Sequence, residues 1–302
     1  MKIEQIMQII RLGKSVLRYI RLLAGLAAMQ GKISNPIHIC LTVDFDAWPG
    51  DAIEPAFHIL EKLYARFDLT GKATYLINPN YDLGDNHPVY KEIFDKGYEV
   101  GLHTHAEAIM LQGSEDEIYP LIAQGKALVE QRFRCFDPAF EARSFRSGSR
   151  AFSTPLFRAL ERAGIRYESS VGHHPRVREV YEFKVEDGCD TTRVYYLDPE
   201  NFRAEQSAPT PLVEIPVSGQ LPDLRQLAAA LRPGEPLVVA NFIHPFNFHK
   251  GGKPNKLFHA YYTAVLHCLT RIRGARFSHL SEAGEAWEQW VEKSGMQEGM
   301  RA

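Results

Sequence analysis

From residue 37 onward, short apolar runs alternate with stretches of helical periodicity about seven times. The runs at 37–43, 73–77, 98–102, 144–146, 166–168, 212–216 and 236–242 read as strands. Between and after them, 54–67, 88–96, 115–133, 154–163, 255–273 and 281–292 read as helices. Consecutive strands joined through helices must run parallel, because the chain has to cross back before the next strand begins. The repeat predicts an α/β protein whose parallel sheet curls into a barrel or a near-barrel. Residues 172–211, rich in charge and turn formers, break the rhythm and are expected to form a surface excursion or the rim of a site.

Composition narrows the function classes. The 302 residues carry 35 Lys and Arg against 37 Asp and Glu, a net charge of -2. That balance argues against a nucleic-acid binder held by phosphate contacts. No apolar run approaches the roughly 18 residues of a membrane span. Cys40, Cys135, Cys189 and Cys268 are far apart in sequence, so they suggest buried thiols in a reducing compartment rather than a disulfide framework or a zinc ribbon. Residues 1–34 form a separate unit. Ile6, Ile9, Leu12, Val16, Ile20, Leu23 and Leu26 recur at helical spacing, and Arg11, Lys14, Arg18 and Arg21 share another face. This basic amphipathic helix is expected to pack on the domain or to lie on an anionic membrane surface. A signal peptide fits less well, since its apolar stretch is short and no cleavage site follows. Residues 35–293 are expected to form the barrel and 294–302 a flexible tail.

Polar residues fall in a telling place. The first strand runs into Asp44 and Asp46, the third into His103 and His105, the fourth into Arg146, and the strand at 236–242 into His244. In a parallel barrel these strand ends share one face, where active sites are built. His103 and His105, two apart on extended backbone, can point to one side and reach one ion. Two imidazoles and a carboxylate are a common ligand set for a catalytic divalent metal, zinc above all. Glu107 competes as a ligand if a helix begins there. Two carboxylates as close as Asp44 and Asp46 cannot both ionise cheaply without a cation, so one suits the metal and the other a base. Trp48, Tyr75, Phe246 and Phe248 stand near strand ends and could pack on the C–H faces of a sugar, or simply fill the barrel mouth.

These segments together resemble a known family, the NodB-homology polysaccharide deacetylases (carbohydrate esterase family four), over roughly residues 37–287. Thr42-Val43-Asp44-Phe45-Asp46 resembles the first motif, T-F-D-D, in a D-x-D form. Lys72-Ala73-Thr74-Tyr75-Leu76 resembles K-A-T-F-F, and Gly97 to Thr104 resembles G-H-E-I-G-x-H-[ST]. Phe145-Arg146-Ser147-Gly148, Tyr167-Glu168-Ser169-Ser170 and Ile243-His244-Pro245 are similar to the third, fourth and fifth motifs, and Val213 to Pro216 and Phe277 to Glu282 to the late strands. The resemblance implies a distorted seven-stranded (β/α) barrel and metal-dependent removal of acyl groups from an N-acetylated sugar or polysaccharide. It implies Asp44 as base, Asp46 and His103 as metal ligands, Arg146 as the group that holds Asp44, and His244 as general acid oriented by Glu168. The family usually has a second His where Glu107 stands; since some branches carry H-x-H, His105 is the preferred third ligand and Glu107 the alternative. Glu168 stands where Asp is usual and is one methylene longer. Other expectations remain open: a carbohydrate-binding or membrane-associated scaffold without turnover, or a hydrolase of a non-sugar amide. The expected location is cytoplasmic, at the inner membrane surface if the basic helix binds lipid.

Overall fold

Strand β1 (Ile37–Phe45) is buried along its whole length and pairs in parallel with three others. They are β2 (Ala73–Ile77), β8 (Leu237–Ile243) and β11 (Ala275–Phe277). The computed structural model describes residues 36–46, 53–85, 87–172, 193–198, 210–218, 234–250 and 252–294. From β2 the parallel sheet continues through β3 (Glu99–Thr104), β4 (Ser144–Ser147), β5 (Tyr167–Glu168) and β7 (Val213–Glu214). Beyond β7 a parallel bridge joins Val217 to Ala240 of β8, and among the described residues this closes the ring. Seven strands therefore surround the interior, as the sequence leads one to expect. β6 (Tyr195–Tyr196), inside the excursion, adds to β7 antiparallel, and β9 (His249–Lys250) and β10 (Lys253–Pro254) form a small separate hairpin.

Strands buried on both faces read as continuous apolar runs, which is why these segments are legible. Period two then sorts β1. Ile37, Ile39, Leu41, Val43 and Phe45 join a large core shared with the surrounding helices. Cys40 joins a smaller cluster with Leu76, Val213, Val238 and Ala240. The helices are α1 (Ile53–Arg66), α2 (Pro88–Asp95), α3 (Glu107–Gln112), α4 (Glu115–Arg134), α5 (Thr154–Arg162), α6 (Lys256–Leu269) and α7 (Leu280–Lys293). α4 opens with a capping box between Ser114 and Glu117, and α5 with the Ser153 side chain accepting from the Leu156 N–H. α7 carries Leu280, Ala283, Trp287 and Val291 into the smaller cluster.

Several expectations need correction or fall elsewhere. The basic helix at 1–34 and, apart from Ser294, the tail at 294–302 lie outside the described residues, as does Cys189. Of the described cysteines Cys40 is buried, but Cys135 is exposed and Cys268 only partly covered, so buried apolar thiols are not the rule. Among the described residues no helix is long and apolar enough to cross a membrane.

The three-way pairing of β1 makes its core side chains costly to truncate. Leu41→Ala should lower unfolding stability by about 3 kcal/mol in urea titrations, while Lys91→Ala, which breaks an exposed pair with Asp95, should change it by less than about 0.5 kcal/mol.

Candidate metal centre and active site

The register of the barrel brings distant residues to one level. Val43 pairs with Ile243, so Asp44 and His244 follow side by side. His103 pairs directly with Arg146 across β3 and β4. All these positions are at C-terminal strand ends, on the face expected to carry chemistry.

Asp46, His103 and His105 each turn one ligand atom inward, and these atoms lie within 4.8 Å of one another. His103 Nδ1 is 2.8 Å from the Arg146 carbonyl oxygen. A carbonyl only accepts, so Nδ1 carries the hydrogen and Nε2 is left with a lone pair. That Nε2 is buried without a hydrogen-bond partner, and so is Asp46 Oδ1. Two buried acceptors left without a donor call for a positive centre. His105 Nδ1 lies 2.6 Å from Glu107 Oε1, and its Nε2 lies 2.8 Å from Asp46 Oδ2. Glu107 thus fixes the His105 ring from behind, the carboxylate–histidine arrangement common around bound metals. The donor set of two imidazole nitrogens and one carboxylate suits zinc, cobalt, nickel or manganese. The residues present fit a divalent ion.

Charge reinforces this geometry. Burial alone would raise the Asp46 carboxyl, but the His103 and His105 imidazoles beside it outweigh burial and hold the group well below the usual carboxylate range. Burial likewise works to lower His105, yet its hydrogen bonds to Asp46 and Glu107 push it up to about 9. Gly148 is required where the β4–α5 turn passes: a Cβ there would lie 2.3 Å from His105 Nδ1 and 2.7 Å from Glu107 Oε1.

Beside the ligand group stands a second one. Arg146 is fully buried and donates from Nη1 to Asp44 Oδ1 at 2.7 Å and to Thr42 Oγ1 at 2.6 Å. Its Nε donates to the Ser169 carbonyl at 2.7 Å and its Nη2 to Ser169 Oγ at 3.0 Å. Burial tends to raise Asp44, but the Arg146 charge and the nearby His103 and His244 keep it low. The other Asp44 oxygen lies 3.7 Å from His244 Nε2. Burial lowers His244, with Asp44 and Asp46 acting against it.

Asp44, Asp46, His103, His105, Arg146 and His244 therefore stand together at one end of the barrel, and Phe246 stacks on the His244 ring at 4.5 Å. Four expectations fare differently. Glu168 accepts from the N–H and hydroxyl of Ser170, and the described polar partner of His244 is Asp44, so Glu168 is not seen orienting the imidazole. Tyr75 is no sugar platform. It is in register with Val43, so it faces the helices, packs on Phe45 and Tyr98, and donates to Glu61. Trp48 lies outside the described residues. Phe248 is buried in the core against Phe258 and Tyr262. Two aromatic residues were missed. Tyr81 is 51% exposed with its ring 6.4 Å from the His105 ring, and Phe242 presents its ring edge-on to His244 at 5.7 Å. Tyr81 follows β2 in the turn-rich run Asn78-Pro79-Asn80, a strand-end position that could have flagged it.

No protein-family profile matches the chain, and no curated protein matches it in sequence. Solved structures do match. A Mycobacterium smegmatis protein assigned as a polysaccharide deacetylase aligns over 85% of this chain and 91% of its own, with a TM-score of 0.52 and 17% identity. A family 4 acetyl xylan esterase from Clostridium thermocellum, solved in complex with a cobalt ion, aligns over 82% of this chain and 89% of its own (TM-score 0.45, 15% identity). A pseudoenzyme of the same esterase family from Bacillus anthracis aligns over 83% of this chain and 66% of its own (TM-score 0.47, 15% identity). The likeness to the mycobacterial protein is one of fold: the chain has the polysaccharide-deacetylase barrel that its motifs suggest.

The two imidazole–carboxylate contacts make metal uptake testable. His105→Ala should abolish stoichiometric zinc or cobalt binding in metal analysis after dialysis, whereas Glu107→Gln should retain the ion with affinity reduced by roughly tenfold to a hundredfold. Because His105 must lose its proton to ligate, affinity should rise about tenfold per pH unit up to about 9 and level off above it; a flat profile from pH 6 to 9 would remove His105 from the ligand set.

Proposed function

We propose that this protein is a divalent-metal-dependent deacylase that hydrolyses an N-acyl group on an amino sugar or polysaccharide. The observation carrying this is the adjacency of two groups with separate duties: three inward-turned ligand candidates, Asp46, His103 and His105, and an acid–base pair, Asp44 and His244, 3.7 Å apart. The fold shared with the mycobacterial deacetylase-like structure supports it. Bound between the three ligand residues, a divalent ion, for which zinc is our choice, would supply Lewis acidity toward the acyl carbonyl and toward water.

The chain's own residues divide the proton work. Arg146 keeps Asp44 ionised, so Asp44 can accept a proton, and orients it by using up Oδ1. Only Oδ2 remains to receive the proton from the attacking water, and this oxygen is the one near His244 Nε2. An amine leaves poorly unless it is protonated, and His244 is placed to deliver that proton. Since burial keeps His244 neutral at pH 7, the proton it delivers arrives during turnover, and Asp44 Oδ2 is an adjacent source. Phe246, stacked on the imidazole, limits its rotation and excludes water from one face. Exposed Tyr81 offers a flat apolar ring to a pyranose beside the ligand group. The complete acid–base pair speaks against a scaffold without turnover, which has no reason to keep both members.

Acetate release from N-acetylated chito-oligosaccharides tests the reading. Asp44→Asn and His244→Ala should each lower kcat by roughly a hundredfold to ten-thousandfold while the bound metal stays unchanged. Full activity in Asp44→Asn would exclude it as the base.

A further inference from the structure

The turn that follows β4 holds a second arginine. Arg150 is buried and keeps 7% of its surface open. Unlike Arg146, which has four hydrogen bonds, Arg150 forms no ion pair among the described residues, and its Nη2 is buried with no hydrogen-bond partner. A guanidinium removed from water and left without an acceptor is unfavourable unless something else compensates it. Phe242 gives part of that compensation, with its ring centroid 5.6 Å from the Arg150 guanidinium carbon. The same ring touches Arg146 at 5.8 Å and His244 at 5.7 Å, so one side chain separates the unpaired cation from the acid–base pair.

The backbone reaches this arrangement under strain. Ser149 and Arg150 are consecutive non-glycine residues in the left-handed region, with φ of 49° and 57°. Such outliers persist where the surroundings over-determine them, often at sites that bind or react. Here the turn is gripped on one side by Ser149, whose hydroxyl donates to Glu107 at 3.1 Å. On the other side Gly172, having no side chain, leaves room beside Arg150 Nη1; a Cβ there would lie 2.8 Å from that nitrogen. Burial and repulsion from Arg146 lower the Arg150 guanidinium to about 10, which leaves it charged at neutral pH. Asp44, the anion acting on it, is already bonded to Arg146.

We propose that Arg150 binds an anionic oxygen group, a phosphate or a carboxylate, carried by the substrate next to the N-acyl sugar. The inference deepens the deacylase reading and rests on it for the identity of the sugar, not for the anion site. An acceptor with two oxygens matches the planar fork of the guanidinium and would supply the partner that Nη2 lacks.

Two measurements separate the anion site from the reaction. In calorimetric titration with inorganic phosphate and with acetate, the metal-loaded wild type should bind at least one of them. Arg150→Met, which keeps an apolar stem against Phe242, should weaken that binding by roughly tenfold to a hundredfold, and Arg150→Lys should do so by less. Whichever of the two ions binds identifies the group as phosphate or carboxylate. In acetate-release assays on N-acetylglucosamine 1-phosphate, N-acetylmuramic acid and neutral diacetylchitobiose, Arg150→Met should lower kcat/KM on an anionic substrate at least tenfold more than on the neutral one. Equal anion binding by wild type and Arg150→Met, no anion binding by the wild type, or equal losses on charged and neutral substrates would overturn the proposal. If no substrate is turned over by any variant, the deacylase reading fails and the titrations alone decide for or against Arg150. If Arg150→Met does not fold, Arg150→Lys decides: unchanged anion affinity would refute the requirement for the guanidinium.

Discussion

The buried pair of Arg146 and Asp44 is the contact on which the site depends. A guanidinium with no access to water is costly unless its nitrogens find acceptors, and here β1 supplies Thr42 and Asp44 while the segment after β5 supplies Ser169 twice. The bonds to Thr42 and Asp44 cross the barrel interior and join β4 to β1, which are not neighbours. They also set two properties of Asp44 at once: its charge and the oxygen it leaves free. Removing the guanidinium would leave a carboxylate buried without a partner, and such a group neutralises or moves. Arg146 shapes the ligand group as well, since its carbonyl fixes the tautomer of His103.

Position in the sheet explains why carboxylates serve this site from one strand. Asp44 and Asp46 are two apart at the end of β1, the strand that pairs with β2, β8 and β11. Period two sends both to the interior, and the pleat separates them enough for one to meet Arg146 and the other the histidines. The two carboxylates keep their charges because each has its own positive partner, which is how the repulsion expected between close acids is relieved.

Much of this was legible before any coordinates. Buried parallel strands announce themselves as apolar runs, and the residues that end them, Asp44, His103, Arg146 and His244, stand out because charge seldom follows such runs without cause. What escaped has physical reasons. α3 is six residues long and its N-cap, Ala106, makes no capping hydrogen bond, so it leaves no start signal. β11 has three residues and is partly exposed, so its apolar pattern is weak. Tyr75 looked like a candidate platform because it sits near a strand end, but only the register with Val43 tells that it faces the helices. The pairing of Glu168 with Ser170, two residues on, is a local turn contact that no pattern of types distinguishes from a reach across to His244. Arg150 is not legible either, because a second arginine in a Gly-Ser turn carries no mark of burial in the sequence.

Among the described residues the ring of strands is closed by one bridge, Val217 to Ala240, while β1 and β8 share seven paired positions. A wall held by so few ladder bonds gives way first when the protein breathes. Slack of this kind falls on the seam between β7 and β8 and leaves the β1–β4 side, which carries Asp44, Asp46, His103 and Arg146, held by continuous pairing.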